Sequence, residues 1–444
     1  MILLSLPLLL GIIPLTVLAA VLMPVRRRPF VLAAGGLAAV YTGCGLPVLL
    51  LTVSSVCAGW LCLRLQKTAQ QHRAAAVVWL TVGTAVQAAL LPLGRLLSDS
   101  PAKRIPLLLC ILQAVGCMTA RYIGKLSPQP LASYTCYQCA LPRLIGGPVL
   151  SYQHAEEIAA GCSRSARRAG EGALHFTAGL FQLVMLAAPL FAMHREMTES
   201  RAAVSSADVW LLLIVFYCAA YYAVRGAAEL CRGIAALTGY ALPQQSCTPL
   251  KAHTPLGFCS RWYRSAAEWF RRILLRDAQT VDNTSYFARL LLMLCGIGML
   301  LGRGWATGVF WGAYMALILL VERILTHRGM HAAKGVSRFI TAVLMLFGCC
   351  LLQAPTVSEF YGNAADLLGR NGLLPSGKAV YTFRNHWLPL LTAAVGLLPL
   401  REFLRSQLER RAWLRGLSYV LIPVCEAAVL LISLTELLVD RLRG

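Results

Sequence analysis

Charged residues are scarce in this chain of 444 residues. Only 14% of the residues are charged, whereas 58% are hydrophobic. Soluble domains usually contain about 25% charged and about 45–50% apolar residues. The composition therefore excludes a soluble globular protein and indicates an integral membrane protein. We see no soluble domain, no low-complexity tail and no clear repeat, so we interpret residues 1–444 as a single membrane domain.

Acidic residues are especially few, with 19 Asp and Glu against 41 Lys and Arg, which gives a formal net charge of +22. In a soluble protein this excess would suggest binding to nucleic acid. Here the basic residues lie between apolar segments, as the positive-inside rule describes. We therefore expect no nucleic-acid partner. Anionic membrane lipids or an acidic cytoplasmic partner are the expected counter-charges.

A second pair of metal ligands is missing beside the single C-x-x-C motif, Cys136-Tyr137-Gln138-Cys139. A structural zinc site needs four ligands, so one pair is not sufficient. The other cysteines are scattered through apolar segments, where Cys mostly acts as a small hydrophobic residue. We therefore predict no metal site.

Long apolar runs are abundant, and about 20 apolar residues can span the hydrocarbon core as a helix. The candidate spans are 2–23, 30–43, 46–63, 75–98, 105–120, 172–193, 208–224, 286–302, 305–321, 339–353, 386–400 and 416–438. The apolar segment 131–150 ends in Gly146-Gly147-Pro148, which permits a tight reversal, and we interpret it as re-entrant. The sequence thus predicts an all-α polytopic bundle with about 11–13 membrane segments.

The basic residues predict which loops share a side of the membrane. The run 2–23 lacks a basic n-region and is followed by three arginines, which favours a retained anchor with its N-terminus outside. The loops then expected to be cytoplasmic all carry Arg or Lys, and they are 24–29, 64–74, 121–130, 151–171, 225–285, 322–338 and 401–415. The loops outside are poorer in charge or mixed. We therefore predict a multi-pass protein of the cell membrane.

The segment 239–276 mixes arginines with aromatic residues and cannot cross a bilayer. Its members are Arg261, Arg264, Arg271, Arg272 and Arg276, with Trp262, Tyr263, Trp269 and Phe270. This mixture is typical of helices at the cytoplasmic interface, where Trp262 and Trp269 would form an interfacial aromatic belt. Before it, Arg225, Glu229 and Arg232 lie at helical spacing, so Glu229 can pair on either side. These charges either line a cavity or extend to the interface.

Four blocks of the sequence resemble the membrane-bound O-acyltransferase (MBOAT) family. Residues 105–125 are similar to its first block through Gln113, Tyr122 and Gly124, and LPRLIGGPVLSY at 141–152 is similar to "FPqLiaGPI-rY". Residues 222–242 match through Gly226, Glu229, Gly233 and Gly239, and residues 249–265 match "PY-A-si-eFWrRWHiSL" through Arg261, Trp262 and Ser265. The stretch Trp311-Gly312-Ala313-Tyr314 resembles "WG-yhG". The blocks follow the family order and define an MBOAT-like core at 105–325.

The resemblance is to the bacterial branch that includes alginate O-acetyltransferase-like and D-alanine-transfer-like proteins. It implies helices around a tunnel where a cytoplasmic acyl thioester, acetyl-CoA or a charged acyl carrier protein, meets a hydroxyl of a cell-surface polysaccharide. It implies no bound cofactor. The residues it assigns to the tunnel or the acyl-donor side are Arg225, Glu229, Arg261, Trp262, Ser265, Arg303 and Trp305.

The histidine that the family uses as general base is absent from this sequence. An acceptor hydroxyl has a pKa far above neutral, so its attack on a thioester needs such a base. Leu301 stands at that position, and Tyr263 stands where the family has a second histidine. We take Tyr263 and His253 as the candidate catalytic residues. His175, His194 and His386 lie at the ends of predicted spans, where capping or headgroup contact is the favoured interpretation.

Three hypotheses remain open. The first is an active O-acyltransferase that modifies an envelope polysaccharide. The second is a catalytically inactive relative, a binding or assembly partner in envelope polymer modification, whose basic face would dock an acidic acyl carrier protein. The third is a transporter, which predicts a charged site near the midplane between broken helices. Glu426 is the main charge available for such a site.

Overall fold

A computed structural model describes residues 5–68, 73–163, 165–199, 205–245, 248–273, 282–330, 333–397 and 412–443. The secondary structure within these ranges is helical and contains no strands, which confirms the predicted all-α class. The α-helices are α1 (Ile13–Leu22), α2 (Arg28–Cys44), α3 (Leu46–Thr68), α4 (Arg73–Leu96), α5 (Ile105–Tyr122), α6 (Leu131–Cys139), α7 (Leu141–Leu144), α8 (Tyr152–Ala160), α9 (Ala166–Phe181), α10 (Ala188–Glu199), α11 (Ser206–Leu237), α12 (Pro255–Trp262), α13 (Arg264–Ile273), α14 (Asn283–Leu301), α15 (Trp305–His327), α16 (Lys334–Gln353), α17 (Val357–Leu367), α18 (Gly377–Asn385), α19 (Trp387–Leu397) and α20 (Ala412–Arg443).

Eight helical stretches in the described ranges are long and apolar enough to cross a membrane. They are Leu46–Gln66, Ala74–Leu96, Pro101–Tyr122, Ala166–Glu199, Ser206–Leu237, Asn283–Leu301, Trp305–His327 and Lys334–Gln353. In Ala166–Glu199 a π-helical turn, Gln182–Ala187, joins α9 to α10. Two shorter apolar helices, Pro7–Leu22 and Trp387–Gly396, accompany them. The chain is therefore a multi-pass helical bundle, and the total of 11–13 membrane segments stays a prediction.

Loops that the sequence places on one side of the membrane contact each other. At one end of the bundle, which we call the basic end, Ser163 N donates to Gly239 O at 3.2 Å and Leu256 N donates to Glu322 Oε2 at 2.7 Å. All of these residues belong to loops, or loop borders, predicted to be cytoplasmic. At the opposite end, Arg104 Nη1 donates to Leu300 O at 2.9 Å. These contacts join loops of the expected cytoplasmic set to each other, while the orientation of the N-terminus stays a prediction.

The segment 354–385, which connects two of the predicted spans, contains two helices of its own. It contains α17 and α18, and their ends are tied to the start of α11. Ser206 N donates to Gly372 O at 2.9 Å, and Ser376 N donates to Asp208 Oδ1 at 3.0 Å. Asp208 also accepts from Ser205 N in the capping box of α11. These bonds satisfy N–H groups that a helix N-terminus leaves free, and they anchor the opposite end of the bundle.

The segment 131–150 enters and leaves the bundle at the basic end, as the re-entrant interpretation expected. Its two flanks meet, because Tyr152 Oη donates to Gln129 Oε1 at 3.1 Å. The two short helices α6 and α7 make the turn, and residues 137–150 are all buried. A methyl group on Gly147 would lie 1.9 Å from Pro142 O, so only glycine fits the close approach at this reversal.

Glycines bring α9 and α11 into backbone contact. A methyl group on Gly179 would lie 2.4 Å from Leu230 N, and one on Gly233 would lie 2.5 Å from Phe176 N. Small residues at a helix crossing allow this approach within a membrane, where packing rather than the hydrophobic effect holds helices together. Side chains that point into this crossing from the two helices are therefore pressed against each other.

Candidate functional site

The structure joins two of the blocks that carry the family resemblance. Ser265, at the start of α13, accepts a hydrogen bond from Val149 N at 2.9 Å. Tyr263 donates to Gly147 O at 2.5 Å. Both bonds connect the arginine-rich segment to the re-entrant segment, and Ser265 is buried. The sequence-predicted residues Tyr263 and Ser265 are therefore neighbours that fix these two segments together.

Tyr263 is held in a way that does not suit a general base. Its hydroxyl donates a hydrogen bond to the backbone carbonyl of Gly147. Burial raises the pKa of Tyr263 above the usual 10. A base must instead accept a proton at neutral pH, which calls for a lower pKa. The contacts of Tyr263 favour a structural role at the junction between α12 and α13.

His253 lies at the basic end, against the N-terminus of α16. Its Nδ1 lies 3.2 Å from Lys334 O, and its backbone carbonyl accepts from Ser337 Oγ. Its Nε2 lies 3.5 Å from Arg338 Nη2. The neighbours of His253 are therefore residues of α16, and this position favours an interfacial contact over catalysis.

Arg225 and Trp262 belong to one aromatic cluster in the core. Arg225 Nη1 donates to Tyr221 Oη at 2.8 Å, and the rings of Tyr221 and Trp262 lie 6.0 Å apart. Trp262 also stacks on Phe258 at 5.8 Å. This part of the predicted donor side is brought together, since α11 and α12 both contribute to it. Arg261, on the same helix as Trp262, points its exposed side chain away from the core.

The interfacial-belt interpretation is wrong for Trp269. Only 6% of this residue is exposed, and a methyl group on Gly116 would lie 2.7 Å from Trp269 Nε1. The amphipathic helix α13 therefore inserts Trp269 into a notch on α5. Leu301 and Tyr263 border the same apolar cluster as Trp269. The position where the family has its base is thus lined by apolar side chains, and Leu301 cannot accept a proton.

Arg303 and Trp305 lie at the opposite end and do not join the other predicted residues. Arg95 caps α14 there, because its Nη1 donates to Gly302 O at 2.7 Å and its Nη2 donates to Arg303 O at 2.6 Å. Cationic groups commonly bind the free carbonyls at a helix C-terminus. Trp305 is 66% exposed. These contacts favour a role in joining α14 to α15.

A histidine–carboxylate pair that was not predicted above lies at the crossing of α9 and α11. His175 Nδ1 lies 2.7 Å from Glu229 Oε2, and only 15% and 8% of the two side chains are exposed. His175 was expected at the end of a span beginning at residue 172. In the structure the helix begins earlier, at Ala166, so His175 lies more than two turns from its N-terminus. The pair is therefore within the bundle, between two membrane-spanning helices.

A signal for this pair is present in the sequence. His175 is flanked by Gly172 and Gly179, and Glu229 is flanked by Gly226 and Gly233 with the same spacing. Both helices thus read G-x-x-Z-x-x-x-G, where Z is the ionisable residue. Matching glycine spacings on two membrane helices predict a close crossing. Two ionisable residues at equivalent positions of that crossing are then expected to meet.

The pair has the chemistry of an oriented general base. A carboxylate that holds one ring nitrogen of a histidine fixes the tautomer and stabilises the imidazolium that forms on proton uptake. With Nδ1 facing Glu229, the nitrogen that can face a substrate is Nε2. Ionisable residues inside a membrane are costly and usually serve a function. In the described ranges, no cluster of three or more His, Cys, Asp or Glu side chains could hold a metal ion.

Comparison of the chain with models of known protein families and with curated proteins finds no match. The MBOAT resemblance therefore stays a prediction.

Proposed function

We propose that this chain is a membrane-bound O-acyltransferase in which His175 is the general base and Glu229 orients it. The observation that carries the proposal is the 2.7 Å contact between the two side chains inside the helix bundle. The reaction class comes from the sequence resemblance, which places Glu229 at an acidic position of the third block. Leu301 and Tyr263, the residues at the family's histidine positions, offer no competing base.

The proposed reaction transfers an acyl group from a thioester to a hydroxyl group. His175 Nε2 takes the proton of the acceptor hydroxyl while the oxygen attacks the thioester carbonyl. The carbon–sulfur bond breaks, and the departing thiolate takes the proton from the imidazolium. Glu229 stays ionised and stabilises the imidazolium charge between these events. The donor is an acyl thioester, acetyl-CoA or a charged acyl carrier protein, and the acceptor is a hydroxyl of an envelope polysaccharide.

The test is acyl transfer by the purified chain in nanodiscs, with labelled acetyl-CoA or a charged acyl carrier and a pool of glycan acceptors. His175→Gln should lower the rate by roughly 10²–10⁴-fold, the usual contribution of a general base. Glu229→Gln should also lower it. The matched control is His154→Gln, which removes an exposed histidine that pairs with Glu157 at 2.9 Å on α8. Its rate should equal that of the wild type.

Two further variants compare this base with the bases expected from the sequence. Tyr263→Phe and His253→Ala should both retain transfer, because the side chains contact backbone carbonyls at the basic end. If either of them abolishes transfer while His175→Gln does not, the base has been assigned to the wrong residue.

A second candidate function is a catalytically inactive relative that binds an acyl carrier protein in an envelope acylation assembly. The apolar surroundings of Leu301 favour it, since the family's base position cannot take up a proton. The exposed Arg271 and Arg272 of α13 would supply a basic docking face for an acidic carrier. No transfer with any donor, together with saturable carrier binding that weakens as salt rises, would support this candidate and refute the enzyme.

A further inference from the structure

Helix α18 is attached at both ends to membrane-spanning helices. Ser376, which caps its start, donates from its backbone N to Asp208 Oδ1 in the first turn of α11, at 3.0 Å. At its other end, His386 Nε2 lies 3.9 Å from Glu196 Oε2 in the last turn of α10. One turn of a helix rises about 5.4 Å, so both contacts lie within about 5 Å of the ends of α11 and α10. Helix α18 therefore runs across the opposite end of the bundle and not along a span.

The apolar side chains of α18 are mostly exposed. Ala379 and Thr382 are buried, whereas Val380 and Phe383 are exposed and Tyr381 is 61% exposed. A helix that packs on one narrow face and presents aromatic and branched side chains elsewhere has an apolar surface that nothing within the described chain covers.

Two leucines in the loop before α18 extend this surface. Leu373 is exposed and Leu374 is 83% exposed. The neighbouring Gly372 O accepts from Ser206 N, at the start of α11, at 2.9 Å. The loop therefore lies at the same depth as α18. Contiguous apolar groups of this kind mark a surface that binds a partner or a membrane.

The exposed surface of α18 continues into α19, a short apolar helix. Trp387, Leu388 and Leu391 are exposed along α19. Ala393 is buried, and its carbonyl accepts from Tyr222 Oη of α11 at 2.5 Å. One face of α19 thus packs on the bundle, and the other is an apolar face on the periphery of a multi-pass protein, where the surrounding medium is lipid.

Tryptophans mark the depth of the membrane interface at this end. Trp305 is the first residue of α15 and Trp387 is the first residue of α19, and both are exposed. Tryptophan is enriched where the hydrocarbon core meets the headgroups. Only His386 separates Trp387 from the last residue of α18, so α18 lies close to this depth.

We propose that α18 and the loop before it lie in the headgroup layer of the membrane at the opposite end, with Tyr381, Phe383 and Leu374 at the acyl boundary. The partner of this surface is the lipid itself, because the surface is continuous with the lipid-facing side of α19. Arg384, also exposed on α18, suits contact with headgroup phosphates, as basic residues on interfacial helices do. Since α18 is bonded to Asp208, its place in the interface also fixes the depth of α11. The inference does not depend on acyl transfer.

The experiment measures the depth of α18 in the full-length chain in nanodiscs. A fluorescent amino acid replaces Tyr381, and its emission is quenched by lipids with a nitroxide on the headgroup, by lipids with a nitroxide deep on the acyl chain, or by iodide in water. The headgroup nitroxide should cause the largest loss of emission. Two control positions calibrate the measurement. Leu292, which is 81% exposed in the middle of α14, should respond most to the deep nitroxide, and Arg167, exposed at the basic end, should respond to iodide.

Two outcomes at position 381 would overturn the proposal. Loss of emission with iodide and none with either nitroxide lipid would show that the apolar surface lies in water, where a protein partner could cover it. The largest loss with the deep nitroxide would show that α18 lies within the hydrocarbon core.

A second set of variants tests whether the apolar side chains hold α18 in the interface. Val380→Ser combined with Phe383→Ser should reduce quenching of the probe at position 381 by the headgroup nitroxide. The matched control is Asn385→Ser, which changes an exposed polar residue of the same helix and should leave the quenching unchanged. Equal quenching in the double variant and in the control would refute the proposed role of the apolar surface.

Discussion

Adding one methyl group at Gly179 should separate α9 from α11. In the substituted chain that methyl would lie 2.4 Å from Leu230 N and 2.7 Å from Gly226 O, whereas ordinary contact begins near 3.4 Å. The difference, 3.4 − 2.4, means that the backbones must move apart by about 1 Å. Neither of the two contacted atoms is on a flexible side chain, so a side-chain rotation cannot relieve the contact.

The cost can be separated from the general effect of replacing glycine in a helix. Overpacking of this kind typically costs about 1–3 kcal/mol. Alanine itself favours a helix over glycine by about 1 kcal/mol. Gly170 on the same helix has nothing within 4 Å of an added methyl group, so Gly170→Ala measures the gain in helix propensity alone. The difference in unfolding free energy between the two variants should therefore be about 1–3 kcal/mol.

Thermal unfolding in one detergent can be followed with a thiol-reactive dye, since buried cysteines such as Cys231 become accessible. Gly179→Ala should unfold at a lower temperature than Gly170→Ala. The same separation of the helices would lengthen the 2.7 Å contact of His175 with Glu229. Acyl transfer should then fall as well. Equal unfolding temperatures for the two variants would refute the close crossing of α9 and α11.

Two further predictions concern hydrogen bonds at the ends of helices. Ser265→Ala leaves the buried Val149 N without its acceptor, so it should lower the unfolding free energy by about 1–3 kcal/mol. The Ser260 hydroxyl bonds only within α12, so Ser260→Ala should change the unfolding free energy by less than about 0.5 kcal/mol. Equal losses for the two serines in chemical denaturation would contradict the first prediction. Asp282 caps α14, and its hydrogen bonds from the side chain and backbone of Ser285 hold its pKa below the usual 3.8. The pKa of Asp282 is lower in the folded chain than in the unfolded chain. The ionised cap therefore contributes its full stabilisation of the fold above pH 3.8, and this contribution is lost as the pH falls through the folded-state pKa. The difference in unfolding temperature between wild type and Asp282→Ala should therefore shrink below that pH, and a difference that is constant from pH 7 to pH 3 would show that the carboxylate is not the cap.

Local patterns were sufficient for the architecture of the bundle. Apolar runs of helical length predicted the long spans, because a chain in lipid must satisfy its backbone hydrogen bonds within each segment. The basic residues predicted which loops would meet at one end. Gly146-Gly147-Pro148 predicted the reversal of the segment 131–150, since the backbone there approaches Pro142 too closely for any side chain. Each of these inferences needs only neighbours along the sequence.

Only the tertiary structure decided which polar side chains meet. Glu229 could have paired within its own helix, and the structure shows that it reaches His175 on α9 because four glycines remove the space between the helices. The sequence predicted that Trp269 lies at the membrane interface, whereas in the structure it is buried against Gly116 of α5. The physical reason is the same in each case, because burial and pairing depend on residues that are distant in sequence.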